Sequence, residues 1–154
     1  MSSCITQRCR TVQAEETQSL GRRLGQRAQA GDLVACHGPL GAGKTTFVQG
    51  FAAGLGVGPD AYVRSPTFAL VHVYHGCLPL YHFDFYRLSL ASELQGIGFE
   101  DYSEASGVMI IEWAEKFPEL LPNARLDVYI DIIDTDKRVI QWSTSADVYS
   151  RYFL

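Results

Sequence analysis

The run Gly38-Pro39-Leu40-Gly41-Ala42-Gly43-Lys44-Thr45 restricts this chain more than any other stretch. It fits the pattern of a glycine, four further residues, then Gly-Lys-Ser/Thr, in which backbone N–H groups cradle phosphate oxygens. Both flanks supply the context that chemistry needs. Leu33-Val34-Ala35-Cys36-His37 is a short apolar run suited to a buried strand. Phe47, Val48, Phe51, Ala52 and Leu55 recur at spacings of three and four, which gives a helix one apolar face. Strand, glycine-rich turn and helix start let the backbone approach an anion, and the helix N-terminus adds partial positive charge. Lys44 then reaches the β- and γ-phosphates, the Thr45 hydroxyl ligates magnesium, and Gly38, Gly41, Ala42, Gly43 and Thr46 complete the cradle. A nucleoside triphosphate or diphosphate is the expected ligand. A glycine-rich turn that only caps a helix is the bland alternative.

The rest of the chain bounds the setting. With 154 residues and 47% apolar content, it suits one globular domain over residues 1–154, loose at residues 1–8. A net charge of −4 argues against binding nucleic acid through bulk charge. Arg22, Arg23 and Arg27 share one expected helix, where a solvated face is the ordinary role. Cys4, Cys9, Cys36 and Cys77 show neither a CxxC pair nor a disulfide framework. The chain shows no secretory leader pattern and no apolar run near ~18 residues. The expected location is a reducing cytoplasm, away from membranes.

A short strand is expected at Cys9–Gln13, and periodicity places a helix at Ala14–Ala30 and a hairpin from Phe68–Tyr74 and Leu80–Phe85. It also places a short helix at Leu90–Gly96, a buried strand at Val108–Ile111, and two further strands at Leu126–Ile132 and Arg138–Ser143. Ala146–Phe153 is expected to close the chain as a helix. The result is a three-layer α/β fold of the P-loop NTPase type, with a mixed sheet, parallel around the phosphate loop and antiparallel in the hairpins.

A phosphate loop needs acidic partners. Glu112 ends the apolar run Val108-Met109-Ile110-Ile111, and a central strand beside the loop strand carries such an acid to the metal side. Asp84 ends the weaker run Leu80-Tyr81-His82-Phe83, with His82 on its strand face. Helix capping at Glu112 and a hairpin end at Asp84 are the structural alternatives. Arg64-Ser65-Pro66-Thr67 lies where a nucleotide-sensing switch belongs, and Thr67 offers a hydroxyl to metal or γ-phosphate. His72, His75, Cys77 and His82 form a weaker zinc candidate, with no finger or ribbon spacing. The Asn-Lys-x-Asp element of guanine-specific GTPases is absent, since the only asparagine is Asn123, followed by Ala124.

Taken together, these blocks resemble the TsaE (YjeE) family of small bacterial P-loop ATPases. The likeness runs through Glu16-Thr17-Gln18-Ser19-Leu20-Gly21-Arg22-Arg23-Leu24, the loop with Thr46-Phe47, Ser65-Pro66-Thr67-Phe68, His82-Phe83-Asp84-Phe85-Tyr86-Arg87-Leu88 and Ile111-Glu112-Trp113. The resemblance implies a slow Mg2+-dependent ATP hydrolase that binds the TsaD–TsaB heterodimer and supports its turnover. That heterodimer makes threonylcarbamoyladenosine in tRNA, which this chain would meet only through the complex. By motif match Thr45 and Glu112 hold magnesium, Lys44 and Asp84 assist hydrolysis, Trp113 shapes the site, and the base sits near Ala14 and Thr17. The family usually has aspartate where this chain has Pro39 and proline where it has Ala114. A small-molecule kinase, or a nucleotide-gated binding module without turnover, fits the same loop.

Overall fold

A computed structural model describes residues 3–66, 69–96, 98–104 and 106–153. Its strands are β1 (Ile5–Thr11), β2 (Leu33–His37), β3 (Val71–His75), β4 (Pro79–Asp84), β5 (Val108–Glu112), β6 (Leu126–Ile132) and β7 (Arg138–Thr144). They form one seven-stranded sheet in the order β1-β7-β6-β2-β5-β4-β3. The strand that feeds the phosphate loop is therefore central. It pairs in parallel with β5 and β6, and β4 extends the parallel group, while β1-β7, β6-β7 and β3-β4 are antiparallel. The mixed α/β sheet is the one the sequence predicts.

Alternation along β2 divides the molecule into layers. Val34 and Cys36 face a core built with α1 (Ala14–Gly25) and α2 (Lys44–Gly54), where Leu20, Leu24, Phe47 and Phe51 are buried. Leu33 and Ala35 face the opposite core, closed by α3 (Ser92–Gln95), α4 (Phe99–Glu104) and the 3-10 turns at Ala114–Lys116 and Pro118–Leu120. Cys36 is fully buried, and burial pushes its thiol pKa well above the ordinary value, with Glu112 adding to the rise. Among the described residues no helix is long and apolar enough to cross a membrane.

Several element boundaries differ from the expectation. Residues 1–8 are not loose throughout, because β1 starts at Ile5 and pairs with β7 from Ile5–Thr144 to Thr11–Arg138. Exposed residues dominate β1, so no alternation announces it; an open edge on β7 supplies the hydrogen bonds instead. The first helix stops at Gly25, and the hairpin strand begins only at Val71, after Leu70 at a φ of 62°. The closing segment Asp147–Phe153 is 3-10 rather than α-helical. It is pinned there by Tyr149 Oη, which accepts from the Leu33 N–H, and by Tyr152 Oη, which donates to Asp32 at 2.5 Å.

The packing of α1 against α2 is backbone on backbone. A Cβ added at Gly21 or Gly25 would lie 2.4 or 2.1 Å from the carbonyl oxygens of Phe47 or Phe51. One added at Gly50 or Gly54 would lie 2.0 or 2.1 Å from those of Gln18 or Arg22. Each helix thus presents glycines four apart to the other's main chain, and the Gln18 amide donates to Gln49 Oε1 across the same contact at 3.0 Å. Gly50→Ala is predicted to cost about 3 kcal/mol, since a rigid carbonyl cannot yield to the methyl. Melting should fall by roughly 6–12 °C. Gly58→Ala, where nothing lies within 4 Å of the added Cβ, should melt as wild type does. Differential scanning calorimetry of the two variants measures this.

Candidate active site

The C-terminal ends of the parallel strands stop level with one another. Cys36 of β2 pairs with Glu112 of β5, and Glu112 pairs with Asp84 of β4, so the two acids stand side by side, Glu112 next to the loop strand and Asp84 one strand further out. Both point toward α2, because they share the strand face of Val108, Ile110 and Leu80. The Thr45 hydroxyl, in the first turn of α2, donates to Glu112 Oε1 at 2.8 Å. The second Glu112 oxygen, Oε2, lies 2.5 Å from His82 Nε2. Asp84 is tied as well, with Oδ1 accepting from the Tyr86 N–H at 2.8 Å and Oδ2 accepting from the Ser65 hydroxyl.

The loop itself turns on glycine. Gly43 has a φ of 105°, and a Cβ at Gly38 would sit 2.5 Å from the Ile130 carbonyl of the neighbouring strand. The Ala42 N–H closes the turn on the Pro39 carbonyl at 3.1 Å. Lys44 folds back over this turn, its Nζ donating to Gly38 O at 2.5 Å and to Pro39 O at 3.0 Å. The same ammonium lies 3.7 Å from the centroid of the Trp113 ring. Burial lowers the Lys44 pKa, and the nearby charges of Glu115 and Glu112 only partly restore it. Trp113 holds a left-handed backbone with a φ of 58°, and its ring packs on Tyr86 at 4.8 Å.

These groups line a cleft of about 450 Å³. Gly41, Ala42, Gly43, Lys44, Thr45 and Thr46 form one wall, and Asp84, Glu112 and Trp113 face it. Hydroxyl and carboxylate oxygens are hard donors, the chemistry that selects a small divalent cation. The structure does not bring Ala14 and Thr17 into this cleft. Thr17 is buried with its hydroxyl 2.9 Å from that of Thr11, and Ala14 opens α1. Thr67 lies outside the described residues. Of the zinc candidates, His82 is directed at Glu112, while His72 Nδ1 lies 3.2 Å from Arg64 O and 3.1 Å from Tyr74 Oη.

Sequence reasoning missed two supports. Arg138 spreads its guanidinium over the outer side of the loop, donating to Ala42 O at 2.8 Å and to Gly41 O at 3.1 Å. It also donates to Asp134, Thr135 and Lys137 carbonyls in the β6–β7 turn. Nothing local in the sequence signals a contact across so many residues. His37, just before the loop, stacks on Tyr129 and reaches Asp127 at 2.9 Å and Glu115 at 3.4 Å.

The sequence profile of "Threonylcarbamoyl adenosine biosynthesis protein TsaE" matches residues 11–140. The chain belongs to the TsaE family. Membership places it in the biosynthesis of threonylcarbamoyladenosine in tRNA. The TsaE of Bacillus subtilis (strain 168) is 40% identical over 141 residues, covering 91% of this chain and 87% of that protein. That of Treponema pallidum (strain Nichols) is 38% identical over 133 residues, covering 86% and 97%. A crystal structure of Bacillus subtilis YdiB superposes with a TM-score of 0.81 at 33% identity, over 99% of this chain and 95% of that one.

The His37 cluster gives this TsaE protein a pH signature. Burial alone would lower the His37 pKa, but hydrogen bonds and charge from Asp127 and Glu115 outweigh it and raise the value above 6.5. Both carboxylates are correspondingly lowered, against burial that opposes their charge. A raised folded-state pKa means that the His37 contribution to stability is full below pH 6.5 and is lost as pH rises through the folded value. Asp127→Asn is predicted to lower the His37 pKa in an NMR titration and to flatten that loss in urea melts taken above pH 6.5.

Proposed function

We propose that the chain is a slow Mg2+-dependent ATPase that binds the TsaD–TsaB heterodimer and sustains its turnover in tRNA modification. The observation that carries this reading is the convergence of Lys44, Thr45, Asp84 and Glu112 on one cleft, with Thr45 and Glu112 already 2.8 Å apart. Thr45 and Glu112 would hold the cation, which when bound neutralises charge on the phosphate oxygens. The loop N–H groups and the N-terminus of α2 bind the phosphates. Lys44 exchanges its carbonyl partners for β- and γ-phosphate oxygens. Asp84 orients a water for attack on the γ-phosphorus, the bond from γ-phosphorus to the bridging oxygen breaks, and ADP and inorganic phosphate leave.

Such a reaction depends on positioning and electrostatics more than on covalent chemistry. The bond between Ser65 and Asp84 ties the water-orienting acid to the Arg64–Pro66 loop, so a partner that moves this loop would also retune Asp84. That coupling supports a slow basal rate raised by docking. ATP and ADP are then the ligands that set the affinity for the heterodimer, and tRNA is met only through the complex. Steady-state phosphate release should rise when TsaD–TsaB is added, and Glu112→Gln should cut it by about 100-fold or more. Absence of both stimulation and a complex on size-exclusion chromatography with ATP overturns the proposal.

A further inference from the structure

His82 lies behind the carboxylate rather than in the cleft. It sits in β4 opposite Ile110 of β5, is completely buried, and shares with Asp84 and Glu112 the sheet face toward α2. Its Nε2 is 2.5 Å from Glu112 Oε2, while its Nδ1 is buried and has no hydrogen-bond partner among the described residues. Leaving a buried polar atom unmet is unfavourable, and an apolar side chain of similar volume would avoid it. Packing against Tyr74, whose ring is 6.5 Å away, asks only for bulk. What an imidazole adds at this position is the bond at Nε2. With no acceptor beside Nδ1 among the described residues, the arrangement puts the proton on Nε2, which donates it to the carboxylate.

We propose that His82 is a positioning residue for Glu112. The terminal torsion of a glutamate is broad, so a carboxylate held at one oxygen can still rotate. Thr45 holds Oε1 and His82 holds Oε2, which together fix the plane and present Oε1 to the phosphate side. His82 touches neither phosphate nor cation and acts only through Glu112. The inference rests on the magnesium site proposed above. Groups that orient a ligating carboxylate in this way typically change metal affinity by about 10–100-fold. His82 does not line the cleft that the phosphate loop walls, so metal-free nucleotide binding should not respond.

The test compares His82→Gln, whose amide can reach the Nε2 position, with His82→Asn, whose amide stops short, and with the apolar His82→Leu. Mn2+ affinity of the ADP complex is read by electron paramagnetic resonance, and ADP affinity in EDTA by calorimetry. The Asn and Leu variants should each weaken Mn2+ binding about tenfold or more, with Gln within about threefold of wild type. ADP affinity in EDTA should stay within about twofold throughout. Either Asn or Leu suffices if the other does not fold. Equal Mn2+ losses in Gln and in the donor-lacking variants, or no loss in any, overturn the role of His82. Glu112→Gln separates this from failure of the site itself: if Mn2+ affinity survives that change too, the magnesium reading falls and the inference with it.

Discussion

The closest constraint in the molecule is the contact between the main chains of α1 and α2. Gly21, Gly25, Gly50 and Gly54 admit carbonyl oxygens at distances that no Cβ tolerates, so the helices can neither slide nor separate without losing the fit. Because α2 begins at Lys44, this contact also fixes where the phosphate loop ends and how far Thr45 stands from the sheet. A helix seated on side chains alone could shift by a few tenths of an ångström as they repack. One seated on carbonyls has less freedom, and a short Thr45–Glu112 bond needs that precision.

The sheet answers from the other side. Three parallel strands ending level bring Glu112 and Asp84 to one edge of the central strand, each with both oxygens already engaged. Arg138 braces the loop from outside by taking carbonyls, which leaves the loop's shape dependent on the β6–β7 turn. The two acids are thus held in place before any ligand arrives, and Lys44 is the group that has to move.

Much of this was legible in the residues. The loop and its two flanks dictate strand, turn and helix, and the apolar run into Glu112 foretells a central strand ending in an acid. The level pairing of Glu112 with Asp84 needed the sheet, because register between parallel strands is not written in either one. Arg138 was illegible for the same reason, lying far along the chain from the carbonyls it grips. The first half of β1, ahead of the strand expected from Cys9, has no alternation to betray it, and its pairing is decided by the edge of β7. Thr17, assigned to a base site by resemblance, holds its hydroxyl 2.9 Å from that of Thr11, a contact that no local spacing signals. His82 was half visible: two residues from Asp84 puts it on the right face, but nothing in the spacing says that it reaches across to the next strand.

The resting position of Lys44 has a consequence for selectivity. Its ammonium already holds two carbonyl oxygens and lies against an indole face, so it is not an open charge that attracts whatever anion is nearby. On the proposed reading, an anion that drew it away from these partners would have to offset those interactions, and affinity would be only the surplus. An anion offering a single acceptor oxygen would offset only part of them, whereas a polyphosphate would engage the amine and the surrounding N–H groups together. The tucked lysine would then act as a threshold, one that counts acceptor atoms before it recognises anything else about the molecule that carries them.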